Sequence, residues 1–243
     1  MTDHETHGRL HGRRVLITGA SSGIGAATAR AVTAAGGRVA LLARRRERVE
    51  ELALELDGIA VPADVVDVEA TRRAVERAAS ELGGLDGLVN GAGVVRPGTL
   101  ADTDPADWQL TFDVNVRGLL HVTQAAIPHL RRDGGDVVNI SSMSGRRVGS
   151  TEMAAYAASK AAVHTVSEGL RRELAESGVR VAVMAPGVVD TELFGDDPTS
   201  RRLRDKAQNA GLRGGDVAAA IVEVLAAPPH VVHVEVALLS IHQ

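Results

Sequence analysis

Tyr156 and Lys160 form the clearest chemical pair in the sequence. Tyr156 is the only tyrosine among 243 residues, and Lys160 follows it four positions later in the stretch YAASK. On an α-helix, residues i and i+4 share one face. A phenol has an ordinary pKa of about 10, so it transfers protons at neutral pH only when a nearby cation stabilises the phenolate. The pair predicts a general acid/base for a carbonyl or alcohol oxygen; the alternative is a tyrosine packed in the core.

Two further positions supply polar groups that such a reaction needs. Ser142 lies in NISSMSG, residues 139–145, directly after an apolar run that predicts a buried strand. Sites in parallel α/β proteins form at the carboxyl ends of strands, so Ser142 is placed to hydrogen-bond the reacting oxygen. Ser141 and Ser144 are interpreted as turn residues. Asn115, in DVNVRG, falls inside a predicted helix, where asparagine is unfavourable unless its side chain has a partner.

The stretch TGASSGIG, residues 18–25, predicts a phosphate-binding turn. It joins the first predicted strand to the first predicted helix, which is where a dinucleotide-binding fold holds a pyrophosphate. Gly19 permits the tight turn, Gly23 lets backbone N–H groups approach the phosphates, and Gly25 lets the helix pack on the strand. The helix N-terminus adds partial positive charge. Glycines also occur in β–α turns that bind nothing, so the prediction depends on the position of the loop.

The end of the second predicted strand favours NADP(H) over NAD(H). In NAD-binding folds, a carboxylate about 20 residues after the glycine loop binds the ribose 2′-hydroxyl. Here the chain reads LLARRRER, with Arg44, Arg45 and Arg46 directly after Ala43. Guanidinium groups form charge-assisted pairs with a 2′-phosphate. The alternative is that these arginines begin a solvated helix, which is how we interpret Arg48.

Alternating strand and helix patterns would position these groups. Short apolar runs alternate with longer amphipathic stretches in six or seven β–α repeats. This alternation predicts an α/β Rossmann fold with a doubly wound, seven-stranded parallel sheet and helices on both faces. Helices are predicted at about residues 23–36, 46–56, 68–82, 105–130, 154–177 and 215–227.

The chain shows no composition break that would divide it into two domains. We predict a flexible leader over residues 1–11 and one NAD(P)-binding domain over residues 12–243. The polar segment at about 192–214 is rich in turn-forming residues. It is interpreted as a substrate loop that closes over the site, with a plain surface excursion as the alternative.

Composition excludes several classes of protein. The chain is 44% hydrophobic and 24% charged with a net charge of −4, which is typical of a soluble protein that does not bind nucleic acid. The absence of cysteine excludes disulfides and thiolate sites. A polar start and the lack of an apolar run of about 18 residues predict a cytoplasmic protein without a membrane span. His4, His7 and His11 are interpreted as part of a polar leader and not as a metal site.

These motifs together resemble the short-chain dehydrogenase/reductase family, from about residue 12 to the last strand. Residues 18–25 match its TGxxxGxG loop, and NGAG at 90–93 matches its NNAG element, with Gly91 in place of the second asparagine. PGVVDTEL at 186–193 resembles the segment that touches the nicotinamide end of the cofactor. The family's catalytic tetrad falls on Asn115, Ser142, Tyr156 and Lys160.

The resemblance implies an NAD(P)-dependent oxidoreductase that interconverts a carbonyl and an alcohol, usually as a homodimer or homotetramer. In the family, the lysine binds the nicotinamide ribose and lowers the tyrosine pKa, the serine orients the substrate oxygen, and the asparagine holds a water. The implied cofactor-binding positions are Gly19, Ser21, Ser22, Gly23, Ile24, Gly25, Arg44, Arg45, Asp64, Val65, Asn90, Gly91, Ala92, Gly93, Tyr156, Lys160, Pro186, Gly187, Val189 and Thr191.

Two features depart from the usual family pattern. The interval from Ser142 to Tyr156 is one residue longer than usual, which predicts a bulge in GRRVGSTEM at 145–153. The end of the chain, from residue 227, lacks the DGG ending of acyl-carrier-protein ketoreductases. It resembles the subgroup that includes hydroxy-acid and serine dehydrogenases and clavulanic aldehyde reductase.

Some alternatives remain open at the level of sequence. Arg96, Arg146 and Arg147 would bind a substrate carboxylate if they point into the cleft, and are solvated surface residues otherwise. An epimerase or dehydratase can use the same tyrosine–lysine chemistry, although such relatives usually have a longer C-terminal substrate region. A non-catalytic NADP(H)-binding sensor or scaffold is the alternative outside enzymes.

Overall fold

The computed structural model describes residues 8–132, 134–195 and 197–242. The strands are β1 (Arg14–Thr18), β2 (Arg38–Leu42), β3 (Ile59–Ala60), β4 (Gly87–Asn90), β5 (Gly135–Ile140), β6 (Val179–Pro186), β7 (Val189–Asp190), β8 (Leu212–Arg213) and β9 (Glu235–Leu238). The α-helices are α1 (Gly23–Ala34), α2 (Arg46–Leu56), α3 (Val68–Leu82), α4 (Pro105–Phe112), α5 (Leu119–Leu130), α6 (Ala154–Leu174), α7 (Pro198–Ala210) and α8 (Gly214–Leu225).

Seven of these strands form one sheet in which every neighbouring pair is parallel. Their order is β3-β2-β1-β4-β5-β6-β9, and β7 pairs separately with β8. The direction of winding reverses between β1 and β4, whose last residues, Thr18 and Asn90, are paired in register. A crevice opens at such a reversal, at the carboxyl ends of the strands. The topology therefore places the ligand site beside Thr18 and Asn90.

Both faces of the sheet are covered by helices. One core lies between the sheet and helices α1, α2 and α8, and the other lies between the sheet and helices α3, α5 and the end of α6. The strands β1, β4 and β5 are almost entirely buried, because a parallel sheet covered on both faces has no solvated side. The predicted fold class is confirmed.

The helix predicted over residues 105–130 is continuous, but its middle is a π-helix and not an α-helix. A six-residue π-helix, Asp113–Gly118, separates α4 from α5. A π turn inserts one extra residue and rotates the following helix, and such turns are frequent at functional sites. Asn115 lies in this insertion, which accounts for an asparagine within a helix.

The segment at 192–214 contains more regular structure than its composition predicts. Helix α7 occupies much of it and begins at Asp197, whose side chain accepts a hydrogen bond from the backbone N–H of Ser200. Pro198 follows in the first helical turn, where its missing N–H costs nothing. Asp-Pro-x-Ser at 197–200 is therefore a helix start within the segment that the sequence analysis describes as rich in turn-forming residues.

The described chain packs onto the domain from residue 8, before the domain boundary predicted at residue 12. Leu10 is only 1% exposed, and its N–H donates to the Ala35 carbonyl at 2.8 Å. His4 and His7 lie outside the described residues. Among the residues that the structure describes, no cluster of three or more His, Asp or Glu side chains is suited to a metal ion. No helix in the same part of the chain is long and apolar enough to cross a membrane.

Candidate active site

One cavity of about 780 Å³ lies at the carboxyl ends of the strands, where the topology predicts it. Its volume is in the range of small-molecule and cofactor sites. Most of the residues predicted from sequence line it, namely Gly19, Ser21, Ser22, Gly23, Ile24, Gly25, Arg44, Arg45, Asp64, Val65, Gly91, Ala92, Gly93, Ser142, Tyr156, Lys160, Pro186, Gly187, Val189 and Thr191. Asn90 and Asn115 are not among the lining residues.

Tyr156 projects from the first turn of α6 toward Ser142 at the end of β5. A hydrogen bond between the two side chains lowers the Tyr156 pKa, but burial has the larger, opposite effect and raises that pKa to about 12. The phenol is 8% exposed. The loop between Ser142 and Tyr156, one residue longer than usual, is taken up by two short 3₁₀ turns, Met143–Gly145 and Thr151–Met153. Ser142 therefore reaches Tyr156 despite the longer interval.

Lys160 lies one turn further along α6, on the same face. Its Nζ is 5.8 Å from the centre of the Tyr156 ring and donates to the Ile140 carbonyl at 2.9 Å. Burial lowers the pKa of this ammonium to about 8, because the side chain is only 5% exposed. The Tyr156 pKa is therefore raised by burial, and the group that lowers it is Ser142 and not, as the resemblance implies, Lys160.

Asn115 holds the chain that follows β4. Its Oδ1 accepts from the Val94 N–H at 2.8 Å, and its Nδ2 donates to the Val94 carbonyl and to Ser159 Oγ, both at 3.0 Å. The Ser159 hydroxyl in turn donates to the Tyr156 carbonyl on α6 at 2.7 Å. Asn115 thus fixes the strand β4 edge against the helix that carries Tyr156 and Lys160, and both of its amide hydrogens are used.

The Asn90 side chain forms hydrogen bonds within the core beneath the cavity. Its Nδ2 donates to Thr123 Oγ1 and to Asn139 Oδ1, both at 2.9 Å, and Asn139 donates to Ser167 Oγ. This buried polar chain ties β4, β5, α5 and α6 together. Of the NGAG stretch, Gly91, Ala92 and Gly93 line the cavity, whereas Asn90 does not.

The glycine loop is shaped by close backbone contacts. Gly19 has φ of +68°, and a Cβ built on it would lie 2.6 Å from the Gly91 carbonyl oxygen. A Cβ on Gly25 would lie 2.4 Å from the Gly19 carbonyl oxygen. The Ser22 side chain makes no capping hydrogen bond to α1, and the first turn of this helix contains no acidic residue. An anionic diphosphate therefore fits the start of α1 sterically and electrostatically.

A cationic corner lies at the far end of the same loop. Arg45 donates through Nε to Ser21 Oγ at 3.0 Å and through Nη2 to Ser22 Oγ at 2.6 Å. Arg44 Nη1 is 3.8 Å from Asp64 Oδ2, and both residues line the same cavity. Two guanidinium groups and two hydroxyl groups thus converge at the end of β2, which suits a ribose 2′-phosphate.

The opposite end of the cavity is apolar with a basic rim. Apolar side chains from five segments line it, namely Val95, Met143, Met153, Leu193, Phe194, Leu203 and Leu239, and the basic residues Arg96, Arg147, Arg202 and Lys206 also contribute. Arg96 lies 3.6 Å from Asp107 and Arg202 lies 3.4 Å from Glu152.

The structure distinguishes the two interpretations of Arg146, a residue that points into the cleft or a solvated surface residue. Arg146 forms a two-point ion pair with Glu235 on β9 and does not line the cavity, whereas Arg147 does. Arg146 therefore does not meet the condition, pointing into the cleft, under which it would bind a substrate carboxylate. Arg147 is the member of this pair that lines the cavity.

Two participants in the site were missed at the sequence level. Ser159 links Asn115 to α6, and its role depends on the π insertion, for which the sequence has no reliable signal. Glu192 accepts hydrogen bonds from Arg45 and from Arg48, about 145 residues away in the chain. Arg48 had been interpreted as a solvated helix residue.

Three comparisons with known proteins agree with this geometry. A family model described as short chain dehydrogenase matches residues 13–201. An uncharacterized oxidoreductase of Staphylococcus aureus strain USA300 is 37% identical over 221 residues, which cover 89% of this chain and 92% of the relative. The structure of a short chain dehydrogenase from Burkholderia cenocepacia in complex with NADP has a TM-score of 0.84 and 36% identity, covering 95% of this chain and 97% of that one. A serine dehydrogenase from Escherichia coli has a TM-score of 0.82 and 29% identity, covering 94% and 98%.

Proposed function

Because the chain belongs to the short-chain dehydrogenase family, we propose that it is an NADP(H)-dependent oxidoreductase that interconverts a carbonyl compound and an alcohol. The convergence of Ser142, Tyr156 and Lys160 on one cavity with the glycine loop carries this proposal. A neutral phenol, a hydroxyl and an ammonium together suit proton exchange with a substrate oxygen.

The glycine loop and Arg45 would hold NADPH, which when bound would supply the hydride for carbonyl reduction. Tyr156 donates its hydroxyl proton to the carbonyl oxygen, and Ser142 holds that oxygen by a hydrogen bond. Lys160 stabilises the resulting phenolate by its positive charge, and Asn115 keeps the strand edge beside Lys160 in place. In alcohol oxidation, the phenolate takes the hydroxyl proton instead.

The direct test is NADPH oxidation in the presence of aldehydes, ketones and 2- or 3-keto acids, followed at 340 nm with product identification. Turnover of at least one class is expected. Tight NADPH binding with no oxidation by any member would favour the sensor, and isomerised or dehydrated product without net change in the cofactor would favour the epimerase or dehydratase. Both remain alternatives to the proposed reaction.

Cofactor preference is expected to depend on Arg45. Arg45→Ala should weaken NADPH binding by roughly 10- to 100-fold, as expected when a charge-assisted hydrogen bond to a phosphate is lost. NADH, which lacks the 2′-phosphate, should be weakened by less than about threefold. Calorimetric titration of both cofactors is the measurement. Arg46→Ala is the matched control, because Arg46 pairs with Glu50 outside the cavity; equal losses for NADPH and NADH in Arg45→Ala would contradict the assignment.

We also propose that the substrate carries a carboxylate. Arg147 lines the apolar end of the cavity, and a serine dehydrogenase, whose named substrate is an amino acid, is among the similar structures. Arg147→Ala should lower kcat/KM for keto acids about tenfold or more while leaving neutral carbonyl compounds within about threefold. Arg146→Ala is the control, since Arg146 pairs with Glu235. Equal losses on charged and neutral substrates would count against this proposal.

The resemblance to the family further supports a homodimer or homotetramer. Sedimentation velocity of the purified protein would measure the assembly. A monomer at micromolar concentration would contradict that part of the proposal.

A further inference from the structure

Glu192 occupies the cationic corner defined above by Arg44, Arg45, Ser21 and Ser22. Its Oε2 accepts from Arg45 Nη1 at 2.7 Å, and its two carboxylate oxygens accept from Arg48 Nη1 at 2.9 and 2.7 Å. Arg45 is the guanidinium that also contacts both serines of the glycine loop. Arg45 therefore pairs with the Glu192 carboxylate and is also the proposed partner of the cofactor 2′-phosphate.

The backbone around Glu192 is held close to the glycine loop. A Cβ built on Gly23 would lie 3.0 Å from Thr191 Cγ2, so the residue before Glu192 packs directly on the loop. Glu192 also lines the cavity itself, together with Arg44 and Arg45. Glu192 is thus one of the residues that border the ligand space, with a side chain that is 55% exposed.

The charges around this carboxylate keep it ionised. Hydrogen bonds from Arg45 and then Arg48 lower the Glu192 pKa below its usual value. Asp64 also lines the cavity, and its partner is Arg44 at 3.8 Å. At neutral pH, Arg45 is therefore already paired with an anion, and a 2′-phosphate must compete for it.

We propose that Glu192 is a specificity-determining residue that competes with the 2′-phosphate for Arg45. When the phosphate binds Arg45, the Glu192 carboxylate keeps its hydrogen bonds to Arg48 alone. This proposal rests on NADP(H) being the cofactor. It follows that Glu192 weakens ligands with a 2′-phosphate and leaves ligands without one nearly unaffected. Because Glu192 keeps its hydrogen bonds to Arg48, displacing its carboxylate from Arg45 costs little free energy.

A simpler role for Glu192 predicts a different result. If the carboxylate only orients Arg45 for the phosphate, its removal would weaken binding of the phosphate. If it is only an exposed ion pair, its removal would change nothing. The sign of the change in affinity therefore distinguishes competition from support.

The experiment is calorimetric titration of wild type and Glu192→Gln with adenosine 2′,5′-bisphosphate and adenosine 5′-monophosphate. Glu192→Gln should bind the bisphosphate roughly three- to tenfold more tightly, since exposed ion pairs contribute modestly, and the monophosphate within about twofold. Glu223→Gln is the matched control, because it removes one negative charge and an exposed ion pair with Arg9. Unchanged or weaker binding of the bisphosphate in Glu192→Gln would overturn the proposal.

Arg48 provides a second, independent test. Arg48→Ala leaves Glu192 with Arg45 as its sole described partner, so bisphosphate binding should weaken about three- to tenfold. In the Glu192→Gln background the same Arg48→Ala change should have less than a twofold effect. A full Arg48→Ala effect in that background would show that Arg48 contacts the phosphate directly, and would contradict its role as the alternative partner.

The titrations distinguish a wrong role for Glu192 from a wrong assignment of NADP(H) as the cofactor. A wild-type protein that binds the bisphosphate no more tightly than the monophosphate would count against NADP(H) itself. A wild-type protein that prefers the bisphosphate, with Glu192→Gln unchanged, would remove only the role assigned to Glu192.

Discussion

Replacing Tyr156 with Phe is expected to lower kcat for carbonyl reduction by about 1,000-fold, within the range that general acid catalysis contributes. The phenylalanine ring fills the same buried volume, so the fold and the cofactor site should persist. NADPH affinity should change by less than about threefold, because the phenol hydroxyl is the only group removed. Steady-state kinetics with the best substrate of the panel and NADPH titration measure both effects.

The single tyrosine permits an unusually direct control. Because the chain contains no other tyrosine, tyrosinate absorbance near 295 nm titrates Tyr156 alone. The free protein should show a pKa of about 12, and Tyr156→Phe should show no transition. Ser142→Ala should raise the pKa further, since the hydrogen bond from Ser142 lowers it. A Phe variant that keeps more than a tenth of wild-type kcat would remove Tyr156 from the proposed mechanism.

Much of the fold is determined by local patterns that the sequence displays. The predicted helix at 68–82 coincides with α3, because an Asp67 cap precedes it and Gly83 in the left-handed conformation follows it. The parallel strands are continuous apolar runs because both faces of the sheet are covered. The glycine loop, Ser142 and the Tyr156–Lys160 pair could be predicted because each lies at a fixed place relative to a strand or helix end.

The remaining features depend on contacts between distant parts of the chain. The π insertion at Asp113–Gly118 carries Asn115, whose partners Val94 and Ser159 lie 21 and 44 residues away in the chain, so no local pattern encodes this arrangement. Arg146 and Arg147 are adjacent and identical in type, yet only the fold of β9 brings Glu235 to the first of them. The pairing of Glu192 with Arg45 likewise depends on the fold, which packs Thr191 against Gly23 of the glycine loop.

Lys160 is predicted to be needed for activity and to reduce stability. Burial lowers its pKa from 10.5 to about 8, so charging this lysine costs the native state about 3 kcal/mol relative to the unfolded chain. Below pH 8 the lysine is charged in both states and the full cost applies; above pH 10.5 it is neutral in both and the cost disappears. The contribution of Lys160 to stability is therefore most unfavourable at acidic and neutral pH.

Lys160→Met is accordingly expected to lower kcat by about 100-fold or more, because the phenolate of Tyr156 loses the cation one helical turn away. The same variant should be more stable than wild type at pH 7 by about 2 kcal/mol, since the loss of the hydrogen bond to the Ile140 carbonyl offsets part of the gain. Urea unfolding measured at several pH values should show this difference shrinking between pH 8 and 10.5. Lys206→Met, at an exposed position on α7, should change stability by less than about 0.5 kcal/mol. A Lys160→Met protein less stable than wild type at pH 7 would mean that the native state stabilises the ammonium, and the low pKa assigned to it would be wrong.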